Sequence, residues 1–147
     1  LITLSAEAFD PYRLLREFTE GVDGVGAVAS FTGLVRGEGD VGVSALILEH
    51  HSTLTRGAIE EAVQKARRQW DLLDLRIVHR IGRVEVGEPI VLVATAAKHR
   101  RDAFESCDML MDFLKTDVPF WKKEFSQQGE RWVEPGAKDH HDRSRWS

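Results

Sequence analysis

Apolar positions change their spacing several times along the chain, and each change marks an element. Leu1 to Leu4 predicts a short strand. Asp10 followed by Pro11 has the form of a helix N-cap and first helical residue, because proline's missing N–H costs nothing there. Leu14, Leu15 and Phe18 then give that helix an apolar face, and glycines at 21, 24 and 26 end it. Ala27 to Val35 is an apolar, β-branched run that predicts a strand. After a turn through Gly37, Gly39 and Gly42, Ser44 to His50 alternates with period two, so the two strands are expected to form a hairpin with a mobile tip. Ile59, Ala62, Val63, Ala66 and Trp70 recur at helical spacing. Leu75, Ile77, His79 and Ile81 alternate in a strand, Gly87 to Pro89 supplies a turn, and Ile90 to Ala97 predicts a buried strand. A third helix is expected from about Arg100, with Phe104, Cys107, Met111, Leu114 and Val118 as its inward stripe and Pro119 as its stop. Phe120 to Phe125 and Arg131 to Val133 can pair around Gln127, Gln128 and Gly129.

The order β-α-β-β-α-β-β-α-β-β lacks sustained βαβ repetition. It predicts an α+β single domain with a mixed or antiparallel sheet and about three helices, not a doubly wound parallel sheet. A chain of 147 residues suits one domain. Lys138 to Ser147 is polar and charged and is expected to fray unless it docks on a partner.

Composition narrows the function classes. Hydrophobic residues make up 42% and charged residues 30%, enough for a core and unlike a disordered chain. With 20 Lys plus Arg against 24 Asp plus Glu, the net charge of −4 argues against nucleic acid as a partner, so any anion site must be a local concentration of cations. The longest apolar run, Ile90 to Ala97, is far short of the ~20 residues that span a bilayer, and no membrane partner is expected. The single Cys107 cannot close an intramolecular disulfide, which fits a reducing, cytoplasmic setting.

The cations fall at informative places. Arg36 closes a strand at a glycine turn, and His99 and Arg100 stand where a buried strand meets a helix, a junction whose free N–H groups suit a phosphate. A solvated basic helix start accounts for the same pattern. Lys115 and Lys122 flank a helix end with Pro119, Phe120 and Trp121 between them, so the bend can bring both amines to one partly dry pocket. Desolvation and a second cation both favour a neutral amine, which can then act as acid, base or nucleophile. A lysine in a last helical turn also simply complements the helix dipole. On a strand, Lys122 and Glu124 would point to one side and Lys123 to the other. The Gly37, Gly39, Gly42 spacing does not fit a dinucleotide fingerprint. His50 with His51 and His140 with His141 lack metal-ligand spacing, and Cys107 on an apolar stripe is expected to be inert.

An ordered set of short motifs adds to this. Phe31-Thr32-Gly33-Leu34-Val35-Arg36, Leu48-Glu49-His50, His79-Arg80-Ile81-Gly82, His99-Arg100, Leu114-Lys115-Thr116, Pro119 through Glu124 and Arg131-Trp132-Val133-Glu134 together resemble the MoaE family, the large catalytic subunits of molybdopterin synthase. The resemblance runs from about Leu1 to Glu134, which makes residues 1–134 the catalytic-subunit domain and 135–147 a polar tail. It implies an α/β-hammerhead fold and a sulfurtransferase that converts cyclic pyranopterin monophosphate to molybdopterin. The sulfur would come from the thiocarboxylated C-terminal glycine of a small ubiquitin-like subunit of the MoaD type, with no permanently bound cofactor and no metal. By the same resemblance Lys115 and Lys122 would be catalytic. Leu34, Val35, Arg36, His99, Arg100, Lys123 and Glu124 would join them in binding substrate, and a homodimer with a small subunit at each end would form a heterotetramer. Leu34, His51 and the Pro135-Gly136 start of the tail depart from the family pattern. The competing readings are a non-catalytic adaptor for a ubiquitin-like tail and an unrelated phosphate-ester enzyme.

Overall fold

The computed structural model describes residues 1–37 and 42–146. Its elements run β1 (Ile2–Ser5), α1 (Pro11–Glu20), β2 (Ala27–Leu34), β3 (Ala45–His50), α2 (Ser52–Gln69), β4 (Leu72–Arg80), β5 (Gly82–Glu85), β6 (Pro89–Ala97), α3 (Arg100–Thr116), β7 (Phe120–Ser126), β8 (Gly129–Val133) and α4 (Ala137–Ser144). The α+β reading holds, with the strands divided between two four-stranded sheets. The first has order β1-β4-β6-β2, and its only parallel pair is β1 with β4; the second has order β5-β3-β7-β8 and is antiparallel throughout.

The first sheet is the centre of the core. One face carries Leu75, Ile77, Val91 and Val93 against Ile59, Ala66, Leu110 and Phe113 from α2 and α3. The other receives Leu15 and Phe18 of α1 on Ala94 and Ala96. Asp10 caps α1 as expected, its carboxylate accepting from the Tyr12 and Arg13 N–H groups. A fully buried aliphatic side chain such as Ile59 or Ile77 contributes roughly 1.5–3 kcal/mol.

Three expectations change. The strand pair Ala27–Val35 and Ser44–His50 is not a hairpin: β2 pairs with β6, while β3 pairs with β5 and β7. Register shifts at Gly33/Leu34, and Val35 then exchanges backbone hydrogen bonds with Glu88 and Gly87 on its way to the second sheet. Alternation assigns faces but says nothing about pairing. The Gly39 part of the expected turn lies outside the described residues. The return path between sheets is short: Ile81 follows β4, and Gly82, at φ +77, lets the chain enter β5 at once.

The stripe of α3 is also rotated. Ala103, Cys107, Leu110 and Leu114 face inward, whereas Phe104 is 62% exposed. Apolar residues occur nearly all round this helix, and its small residues decide the matter. Ala103 sits close enough to β6 for its carbonyl to accept from the Thr95 hydroxyl at 2.7 Å.

Finally, the C-terminal segment forms the helix α4 and packs on α3. Arg143 makes a paired hydrogen bond to Asp117 and lies 4.2 Å over the Phe113 ring. Arg145 reaches Asp108 and Asp112, and the Trp146 indole donates to Asp112 at 2.6 Å while meeting Trp70 edge-on. The charge run that looked like a solvated tail is complementary to the acidic outer face of α3. Arg143→Ala is expected to cost about 1 kcal/mol in a thermal melt and to hasten proteolytic cleavage within α4. Unchanged cleavage would assign the docking to Arg145 and Trp146 alone.

Candidate active site at the bend between α3 and β7

Lys115 stands in the last turn of α3, where Asp117 caps the helix and the buried Val118 turns its N–H back to the Phe113 carbonyl. Pro119 then breaks the helix. The Thr55 hydroxyl, fully buried at the start of α2, donates to the Pro119 carbonyl at 2.8 Å and so ties the bend to a second helix. β7 begins at the next residue, and Lys122 projects from it opposite the buried Leu48 of β3, with Val133 of β8 on its other side. Its side chain therefore leaves the sheet between two apolar neighbours. The Lys115 side chain lies close by, so the two cations expected to converge are neighbours within one chain. Burial, and after it the adjacent Lys115 charge, bring Lys122 down to about 8, against the opposing pull of Asp139 from α4.

Behind the amines lies His79, at the end of β4 and only 6% exposed. Its ring stacks on Phe120, the first residue of β7, with centroids 4.0 Å apart and planes at 14°. Its Nδ1 donates to the Arg80 carbonyl at 2.7 Å. Burial, reinforced by Lys122, Lys115 and His50, brings His79 down to about 4 despite that hydrogen bond.

The remaining residues expected at the site separate into groups. Arg36 and Glu124 line one cavity of about 440 Å³ with Val43, Ser126 and Arg131, and Glu124 accepts from Arg131 at 2.9 Å. Leu34 is exposed at the end of β2. Val35 is turned inward, packed with Leu48 and Val84, and its backbone is committed to Glu88 and Gly87. A ligand would not meet its side chain. Lys123 points to the face of β7 opposite Lys122, where it pairs with Glu130 at 3.4 Å and lies 4.6 Å over the Trp132 ring. The period-two geometry of the strand thus separates it from the amine pair.

His99 and Arg100 line a different cavity of about 430 Å³ with Gly26, Lys98 and Arg101. They cap and open α3, whereas Lys115 ends it. At 1.5 Å per residue the intervening turns hold the two groups roughly 22 Å apart. Gly26 is required in this second cavity because a Cβ there would stand 2.1 Å from the Lys98 carbonyl oxygen.

Residues 4–117 match the sequence model described as MoaE protein. The chain is 49% identical over 146 residues to the molybdopterin synthase catalytic subunit of Caulobacter vibrioides, an alignment covering 99% of this chain and 97% of that one. The chain belongs to the MoaE family. Its activity is that of a molybdopterin synthase catalytic subunit, a sulfur-transferring enzyme of molybdenum cofactor biosynthesis. The fold agrees: a MoaE protein from Burkholderia ambifaria superposes with a TM-score of 0.83 at 41% identity, covering 99% of this chain and 96% of that one. A Helicobacter pylori complex of subunits 1 and 2 of molybdopterin-converting factor shares the fold at 23% identity, with a TM-score of 0.78 and coverage of 90% and 89%.

Three residues at this MoaE site were not singled out from the sequence as part of it. Alternation in β4 had placed His79 on a strand face, but its stacking on Phe120 depends on how the two sheets meet. Thr55 and Asp139 carry no local signal at all.

Two outcomes are expected. Gly26→Ala should destabilise the fold by about 2 kcal/mol or more, because the conflicting atom is backbone, and denaturant unfolding measures this. His79 has a folded-state pKa below its unfolded value, so the folded state binds fewer protons and stability falls as pH drops from about 6.5 to about 4. His79→Phe should remove roughly 3 kcal/mol of that acid dependence, read from unfolding free energies across the window.

Proposed function

We propose that this MoaE chain transfers sulfur from the thiocarboxylated C-terminus of a small ubiquitin-like MoaD-type subunit to cyclic pyranopterin monophosphate, building the molybdopterin dithiolene at Lys115 and Lys122. The observation that carries this is the close pair of lysines at the bend, with burial and the Lys115 charge bringing Lys122 down to about 8. In each transfer the thiocarboxylate sulfur forms a bond to a carbon of the pterin side chain as a carbon–oxygen bond breaks. Water then cleaves the acyl–sulfur bond, leaving sulfur on the pterin and a carboxylate on the partner's tail. Lys122 gives its proton to the departing oxygen, since an acid poised near the working pH is the effective one. The positive charge of Lys115 stabilises the oxyanion that develops on the tail's carbonyl. Sulfur is supplied by the partner, so the chain needs no resident cofactor.

The substrate's phosphate calls for charge-assisted hydrogen bonds, which Arg36, His99 and Arg100 can donate. The length of α3 keeps His99 and Arg100 from the lysines of their own chain. We therefore place them in the site of a second copy, making the working unit a homodimer with a small subunit at each end, in the cytoplasm. The subunit pairing in the Helicobacter pylori complex supports a small partner.

Lys115→Ala is expected to abolish dithiolene product, detected by mass spectrometry with loaded partner and pterin substrate, while leaving the melting curve intact. Partner binding without product from the native chain would favour an adaptor, and turnover without a sulfur donor a phosphate-ester enzyme. The rate should fall as pH rises through about 8, where Lys122 loses its proton, and Lys122→Arg should flatten that limb at a lower absolute rate. Mixing Lys115→Ala with Arg100→Ala protomers should restore about one quarter of native activity if each site draws on two copies. No recovery would confine each site to one chain.

A further inference from the structure

The reaction above gives no part to the buried, titratable His79. His79 ends β4 in the first sheet, while the lysine it approaches belongs to the second. Two contacts among the described residues define its ring: Nδ1 to the Arg80 carbonyl at 2.7 Å, and the flat stack on Phe120 at 4.0 Å. A carbonyl oxygen can only accept, so Nδ1 carries the proton and the imidazole is the neutral Nδ1–H tautomer. Phe120 pairs with His50 of β3, and two residues along β7 on the same face Lys122 pairs with Leu48. Movement of Phe120 would therefore move Lys122. The charged and titratable groups facing the ring are Lys122 of β7, Lys115 of α3 and His50 of β3; Asp139 of α4 faces Lys122.

We propose that His79 is a positioning residue for Lys122: pinned at Nδ1 and laid flat on Phe120, its ring fixes where β7 begins and shields the Lys122 amine from water without adding a further positive charge. This rests on the reading of Lys115 and Lys122 as the reacting pair. A larger aliphatic side chain would shield but not stack, and a positively charged one would repel both amines. A neutral planar ring meets both demands.

The test reads the Lys122 amine directly, by NMR of isotopically labelled lysine across pH 6 to 11, with the resonance assigned by Lys122→Arg. The native amine is expected to titrate near 8. His79→Ala should admit water and move that midpoint up by about one unit or more, a tenfold gain in proton affinity, and His79→Phe should return it to within about half a unit of native. A folded His79→Ala protein that titrates like native, or a His79→Phe protein that fails to restore the midpoint, overturns the proposal. In the native protein the imidazole nitrogens should report a neutral Nδ1–H ring from pH 5 to 9. An Nε2–H ring, or protonation above pH 6, overturns it even where both variants fail to fold. Neither readout needs pterin or partner. Normal titrations in a chain that transfers no sulfur would thus defeat the proposed function while leaving this role for His79 in place.

Discussion

Two amines that would repel one another in water are held as close neighbours at the junction of α3 and β7, and the surrounding fold is arranged to keep them there. Lysine side chains are long and rotamer-rich, so backbone placement alone would not hold them together. The helix has to stop at Asp117, the bend has to be tied at Pro119 by Thr55, and the strand has to leave at an angle that sets Lys122 beside Leu48. Each of these ties comes from a different element. The amine pair is therefore a product of tertiary packing, and a peptide spanning residues 115–122 would not reproduce it.

The elements themselves were largely legible. Period and capping residues located α1, α2, β4, β6 and the β7–β8 pair, because each depends on local geometry that neighbouring side chains dictate. What failed was information carried at a distance. Alternation in Ser44 to His50 could not say that its partners would be β5 and β7, since both lie later in the chain. The four-residue β5 was too short to show a period, and the face of α3 was ambiguous because Met109, Leu110, Met111, Phe113 and Leu114 crowd its circumference. The tail looked solvated for a related reason: its arginines are matched by acids on α3, about 30 residues away.

The same distinction governs the site. Lys115 and Lys122 were found because a proline lies between them in sequence, and the alternation that separates Lys122 from Lys123 follows from strand geometry. Val35 was assigned to substrate by the family resemblance, yet it is the residue at which the chain passes between sheets and is packed accordingly. In the sequence His79 stood on an alternating strand face and in the motif His79-Arg80-Ile81-Gly82, without a role at the site. Its relation to Phe120 appears when the two sheets are assembled.

The helix α3 also acts as a spacer with a fixed angular setting. Thr95 grips it at Ala103 and Asp117 ends it, so its two extremities are locked in both distance and rotation. One residue inserted between those points would swing Lys115 about 100° around the axis, away from Lys122 and over another surface. The hairpin tip at Gln127 and Gln128 is exposed and bears no such burden. Length variation in this chain should consequently be tolerated at that tip and forbidden along α3, whatever the residues involved.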